Sequence, residues 1–163
     1  MSPDLYKFAV EDFAANLDEL LPLYSAHYRE MQERLAGQGI LVPEMAPRYD
    51  EYLKASNGGY LFNIVARTVR GEPVGYVNVY ITNDMHNGEL IAQEDALYVR
   101  KDHRNGVGKK LVQFGLEFLR GRGVKRLIVQ ALTDLRVSKL WGRMGFKPVA
   151  TCMIYRFDQE DKA

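Results

Sequence analysis

The sequence predicts a single-domain α/β fold: a mixed, mostly antiparallel sheet with a central parallel pair, and helices on both faces. Three observations carry that reading. Three strand-like runs between residues 60 and 99 are joined by turns too short for anything but antiparallel neighbours. The next apolar run, Val124–Leu132, is reached through an amphipathic helix, which lets it lie parallel to its predecessor. Helical spacing over Glu11–Leu35 and from about Asp134 to Met144 adds helices before and after this block.

Taken in order, Leu5–Val10 alternates weakly and reads as a first strand. Glu11 to about Leu35 is helical, and Pro22 is expected to divide it into two helices, the second carrying Tyr24, His27, Tyr28 and Met31. Pro47–Ser56 reads as a further short helix, stopped by the turn residues SNGG. Tyr60–Val69, Val74–Ile81 and Leu90–Val99 are the three strands, separated by RGEP and NDMHNG. Val107–Arg120 places Leu111, Phe114, Gly115 and Phe118 on one helical face and stops at GRG. Val124–Leu132 follows as a strand, then a helix from about Asp134 to Met144 capped by Gly145, then Val149–Phe157 as a closing strand. The predicted order is β-α-α-β-β-β-α-β-α-β.

Composition narrows the function classes. The chain has 163 residues, 47% hydrophobic and 26% charged, which suits one globular domain over residues 1–163. A formal net charge of +1 gives no global basic field to draw it onto nucleic acid or membrane. The one cysteine, Cys152, is expected to be a core thiol and fits a reducing compartment. With no long apolar run and no signal-like leader, the expectation is a cytoplasmic protein. Three histidines far apart in sequence offer no metal-ligand spacing, so no metal is expected. His86, in NDMHNG, reads as a turn residue.

The most informative stretch is HRNGVGKK, His103–Lys110, where a strand gives way to a helix. A helix N-terminus presents unpaired N–H groups and positive partial charge, and glycine lets a phosphate approach that backbone closely. His103, Arg104, Lys109 and Lys110 add side-chain donors. The pattern is not a P-loop, which needs G-x-x-x-x-G-K-[ST], nor a dinucleotide fingerprint, whose third glycine is missing here.

This loop, with Gly106 and Gly108 in its glycine slots, and the stretch DLRVSKLWGRMGF from Asp134 to Phe146 resemble the two motifs of the GNAT superfamily of N-acetyltransferases. The resemblance covers nearly the whole chain in element order, while residues 94–146 carry the motifs. It implies acetyl-CoA as cosubstrate, its pyrophosphate on the amides of Arg104, Asn105, Gly106, Val107, Gly108 and Lys109. It also implies a pantetheine arm along the backbone of Leu97, Tyr98 and Val99. His103 stands where the family usually has Gln or Arg, so either His103 or Arg104 fills that role. Asp134 stands where the family prefers Asn. Members of the family often dimerise, so a homodimer is among the expectations.

Acetyl transfer to an amine requires a neutral nucleophile, a proton acceptor and close positioning of both substrates. Glu94 and Asp95 are adjacent on a strand, so one of them faces the acceptor cleft. The resemblance to the polyamine-acetylating branch favours Glu94 as base, with Asp95 second. The family's usual acid is a Tyr at the position of Trp141, and an indole N–H cannot serve as one. Ser138 and Tyr155 are the substitutes, and Trp141 is expected to wall the thioester pocket. His27, Tyr24 and Tyr28 either line the acceptor site, since the family builds that wall from its first helices, or form the half-buried face of an amphipathic helix. The predicted function is acetyl transfer to a primary amine, of a small molecule first and of a protein second. The rival readings are an acyl-CoA-binding or regulatory protein without efficient turnover, suggested by Trp141, and a nucleic-acid modifier, for which only the Arg120–Arg126 basic cluster speaks.

Overall fold

The computed structural model describes residues 5–131 and 135–158. The chain runs β1 (Tyr6–Glu11), α1 (Phe13–Gly37), α2 (Tyr49–Asn57), β2 (Leu61–Thr68), β3 (Pro73–Asn83), β4 (Leu90–Val99), α3 (Val107–Gly121), β5 (Arg126–Ile128) and α4 (Leu135–Arg143). One 3₁₀ turn, Lys101–His103, precedes α3. The strands form one sheet in the order β1-β2-β3-β4-β5, antiparallel from β1 to β4 and parallel between β4 and β5.

Period-two alternation sorts the strand residues between two cores. Ile64 of β2 joins Val77, Val79, Ala92 and Val99 against Val107, Leu111 and Leu119 of α3. Its neighbour Val65 joins Tyr76 and Tyr98 on the other face, against Phe13, Leu20, Leu23 and Tyr24 of α1. Helices therefore cover both faces, as the sequence predicts. Gly75 of β3 is required by a close approach: a Cβ there would lie 2.9 Å from the Tyr98 carbonyl oxygen.

The structure corrects four expectations. First, α1 is one helix that contains Pro22. The ring removes one intrahelical bond, but Leu20 and Leu23 are buried against the sheet on either side and hold the helix in line. Second, β5 pairs over Arg126–Ile128 alone, not over residues 124–132. Beyond it, the Gln130 N–H donates to the Glu94 carboxylate at 3.1 Å and the Gln130 carbonyl accepts from Trp141 Nε1 at 3.2 Å. Side chains have taken the backbone groups a longer ladder would use. Third, residues 149–156 form no strand. With β5 so short there is little edge to template another strand. Arg156 is instead drawn to the Leu41 carbonyl at 2.8 Å and to Asp158. Fourth, Cys152 on that segment is exposed and is no core thiol.

The register of β3 with β4 shifts once. Glu94 lies opposite Val79 and Ala96 opposite Asn78, so Asp95 is the extra residue of a β-bulge. The bulge sits where the neighbouring strand β5 ends, and both features shape the site.

Candidate active site

Glu94 and Asp95 project to opposite faces of the sheet. Asp95 lines a cavity of about 480 Å³ between α1, α2, the loop over residues 43–48 and the sheet. Tyr52 of α2 donates to Asp95 Oδ2 at 3.0 Å. Partial burial raises the Asp95 carboxyl above its ordinary value, and the Tyr52 hydrogen bond opposes this. The cavity floor includes Tyr24 and Tyr76, buried rings packed edge to face with centroids 4.6 Å apart. His27 Nδ1 lies 2.7 Å from the Tyr76 hydroxyl, and burial pushes this imidazole down to about 4. It is therefore neutral at pH 7. The overlying loop is pinned to α1, because Tyr28 Oη and Gln32 Nε2 both donate to the Pro43 carbonyl, at 2.8 and 2.9 Å.

Glu94 is the first β4 residue beyond the parallel ladder, which pairs only Ile91–Gln93 with β5. Its side chain thus stands at the vertex where the two strands part, among Val79, Leu111, Val129 and Trp141. Desolvation raises its carboxyl to about 7; the Gln130 N–H opposes the shift, and the nearby Asp95 charge adds to it. Trp141 is buried at 6% exposure and its N–H is spent on the Gln130 carbonyl. One residue, Gln130, consequently joins the acid and the indole, through its N–H to Glu94 and through its carbonyl, in the next peptide group, to Trp141.

Past the vertex, β4 has an open edge. The Arg100 N–H donates to the Val74 carbonyl at 2.8 Å. Antiparallel alternation then turns the N–H and C=O of Leu97 and Val99 away from β3, toward the side β5 has left, while Tyr98 turns its own toward β3. Of these outward groups, the Val99 carbonyl accepts from Arg104 Nε at 2.6 Å.

At the end of that edge Gly106 caps α3 in the left-handed region, with φ of 105°, and no side chain caps the helix. The Lys110 N–H bonds to the Gly106 carbonyl at 3.2 Å. The N–H groups of Val107, Gly108 and Lys109, before it, are the free donors of the first turn. A Cβ on Gly106 would meet nothing within 4 Å, so this head is open to an anion. The side chains of His103 and Arg104 do not reach it. His103 is engaged at both ring nitrogens, with Tyr6 Oη at 2.7 Å and Arg100 Nη2 at 2.8 Å. Arg104 folds back onto α1, with Nη2 2.9 and 3.1 Å from the two Glu30 oxygens. Both act as struts for the loop. The cradle is backbone, with Lys109 exposed beside it.

A family model described as the acetyltransferase (GNAT) family matches residues 18–146. The chain belongs to the GNAT family. Solved structures share the fold of this GNAT protein. A ribosomal-protein-alanine N-acetyltransferase from Brucella melitensis biovar Abortus 2308 is 19% identical, covers 94% of this chain and 99% of its own, and has a TM-score of 0.70. An aminoglycoside acetyltransferase from an uncultured soil metagenomic sample is 20% identical over 97% of this chain and 100% of its own, with a TM-score of 0.72. A GCN5-related N-acetyltransferase from Ralstonia eutropha JMP134 is 19% identical over 93% and 98%, also at 0.72. No curated protein matches the sequence.

The structure brings Glu94, Trp141 and the open edge together, and places Asp95 with His27, Tyr24 and Tyr28 at the cavity. It does not bring Ser138 or Tyr155 to either place: both are exposed, Tyr155 at 73%. Asp134 lies outside the described residues. His86 is an exposed turn residue, as expected. Among the described residues no group of three or more His, Cys, Asp or Glu could hold a metal ion, and no helix is long and apolar enough to cross a membrane. Sequence reasoning missed Tyr52, Tyr76 and Gln130. Tyr52 and Tyr76 come from distant elements, and Gln130 acts through its backbone, which no residue type announces.

Proposed function

We propose that this GNAT protein transfers an acetyl group from acetyl-CoA to a primary amine, with Glu94 as the base. The observation that carries this reading is Glu94 itself, a carboxylate raised to about 7 at the vertex of the β4–β5 opening. An anion cradle lies along one end of that opening, and a solvent-open cavity lies on the opposite face. The uncapped head of α3 suits a diphosphate, which the amides of Val107, Gly108 and Lys109 would hold. The outward backbone groups of Leu97, and the Val99 N–H, would hold amide groups of an extended arm in the manner of an added strand. Bound acetyl-CoA supplies the acyl thioester.

The two carboxylates divide the work. Asp95 faces the cavity and holds the acceptor's ammonium at its entrance to the reaction zone. Glu94, on the far side of the bulge, takes one proton from the ammonium through water, which frees the nitrogen lone pair to attack the thioester carbonyl. As the C–S bond breaks, the second N–H proton goes through solvent to the departing thiolate. A pKa near the working pH is what general base catalysis favours. Trp141 gives no proton to the leaving sulfur, since its N–H is committed to Gln130. It acts as a wall and anchors Gln130, the residue whose N–H meets Glu94.

Release of CoA thiol in the presence of acetyl-CoA and an amine tests this division. Glu94→Gln should lower kcat and leave the KM for the amine nearly unchanged, whereas Asp95→Asn should chiefly raise that KM. The reverse pattern would exchange the two roles. Full activity in both variants would remove side-chain carboxylates from the mechanism.

A further inference from the structure

The cavity that Asp95 faces has a lining that discriminates among amines. Its walls and floor are aromatic, with Tyr28, Tyr49 and Tyr52 around the buried rings of Tyr24 and Tyr76. Three charged side chains line it: Asp95, Glu44 and Arg48. Glu44 is exposed at the rim, where water competes for any cation it attracts. Arg48, also exposed, repels cations from the same rim, although Asp50 and Glu51 draw its guanidinium aside. His27 contributes no charge at neutral pH. Asp95 is exposed as well, but of the two lining carboxylates it is the one carried on the sheet, and Tyr52 fixes its orientation.

Taking this cavity as the acceptor site, as proposed above, we infer that the acceptor is a singly charged primary amine on a flat apolar body, an arylalkylamine. A volume of about 480 Å³ holds a small molecule. One ammonium finds one carboxylate, and the body finds tyrosine faces and edges on which an aromatic ring packs with favourable geometry. A polyamine or an aminoglycoside would bring further ammonium groups among neutral rings, with no second carboxylate held in place on the sheet. Each of those would lose hydration without a charged partner.

The test is CoA-thiol release with a panel of 2-phenylethylamine, n-butylamine, spermidine, tobramycin and a peptide beginning with Ala. The expected result is a kcat/KM for 2-phenylethylamine about tenfold or more above each of the others, the discrimination that a well-filled apolar pocket supplies. Equal or higher values for spermidine, tobramycin or the peptide would overturn the inference. Calorimetry with the amines alone separates this outcome from failure of the chemistry. Binding of 2-phenylethylamine ahead of the other amines, with no CoA released from any of them, would contradict the acetyl-transfer reading and leave the cavity inference standing. No preference in binding would overturn the inference. Tyr49→Ala should narrow the 2-phenylethylamine to n-butylamine ratio, and Tyr49→Phe should restore it. A ratio unchanged in Tyr49→Ala would remove the aromatic wall from the argument.

Discussion

Replacing Glu94 with Gln keeps the shape and an acceptor for the Gln130 N–H, but removes the ionisation. The carboxyl titrates near 7 in the folded protein against an ordinary value of 4.5. A group whose folded pKa is raised stabilises the fold fully below its unfolded value, and this contribution is lost as pH rises through the folded one. At 1.36 kcal/mol for each pH unit, the ionised Glu94 costs the native state about 3 kcal/mol at pH 8 relative to acid. Glu94→Gln should therefore be more stable than the parent at pH 8 by up to about 3 kcal/mol. That advantage should fade between pH 7 and 4.5, as read by urea denaturation at a series of pH values. The same substitution should lower kcat by ~10²–10⁴. The break near pH 7 in the kcat/KM profile, rising toward alkaline pH, should vanish with it. A stability difference that does not vary with pH would refute the burial argument. A break near 7 that persists in the variant would place the titrating base elsewhere.

Trp141→Phe keeps an aromatic ring but leaves the Gln130 carbonyl without its indole partner, so Gln130, whose N–H donates to Glu94, is held less firmly; the pH break should move upward while most of kcat remains, and an unmoved break would show that the indole does not position Glu94. Gly106→Ala should cost about 1–3 kcal/mol, because a side chain at φ of 105° is strained, and should raise the KM for acetyl-CoA about tenfold or more with little change in that for the amine. His27 has the opposite linkage to Glu94: its pKa is depressed to about 4, so its contribution is present above pH 6.5 and is lost as pH falls toward 4. His27→Gln should flatten the acid limb of the stability profile, measured by thermal melts, and an unaltered limb would mean that another group governs it.

Much of the architecture is legible because local rules and tertiary demands coincide. The alternation in β2, β3 and β4, the helical face of Leu111, Phe114, Gly115 and Phe118, and the glycine at the head of α3 each announce their element. Pro22 misleads because a local penalty is outweighed by packing of the leucines around it. The segment over residues 149–156 misleads for the opposite reason: its strand-like pattern has no long edge beside it, and β-propensity is realised only on a partner. The placement of Glu94 and Asp95 on opposite faces follows from alternation, but which carboxylate meets the cavity depends on where the helices dock. His103 and Arg104 look like anion ligands by type and position. Their side chains are instead claimed by Tyr6, Arg100 and Glu30, partners remote in sequence.

Where the acyl donor sits is tested most directly by a crystal structure with acetyl-CoA bound. The predicted result has the pyrophosphate on the amides of Val107, Gly108 and Lys109, the arm along the outward edge of Leu97 and Val99, and the thioester at the β4–β5 vertex within one water of Glu94. A thioester lodged away from that vertex, or a pyrophosphate held by side chains elsewhere on the protein, would contradict it.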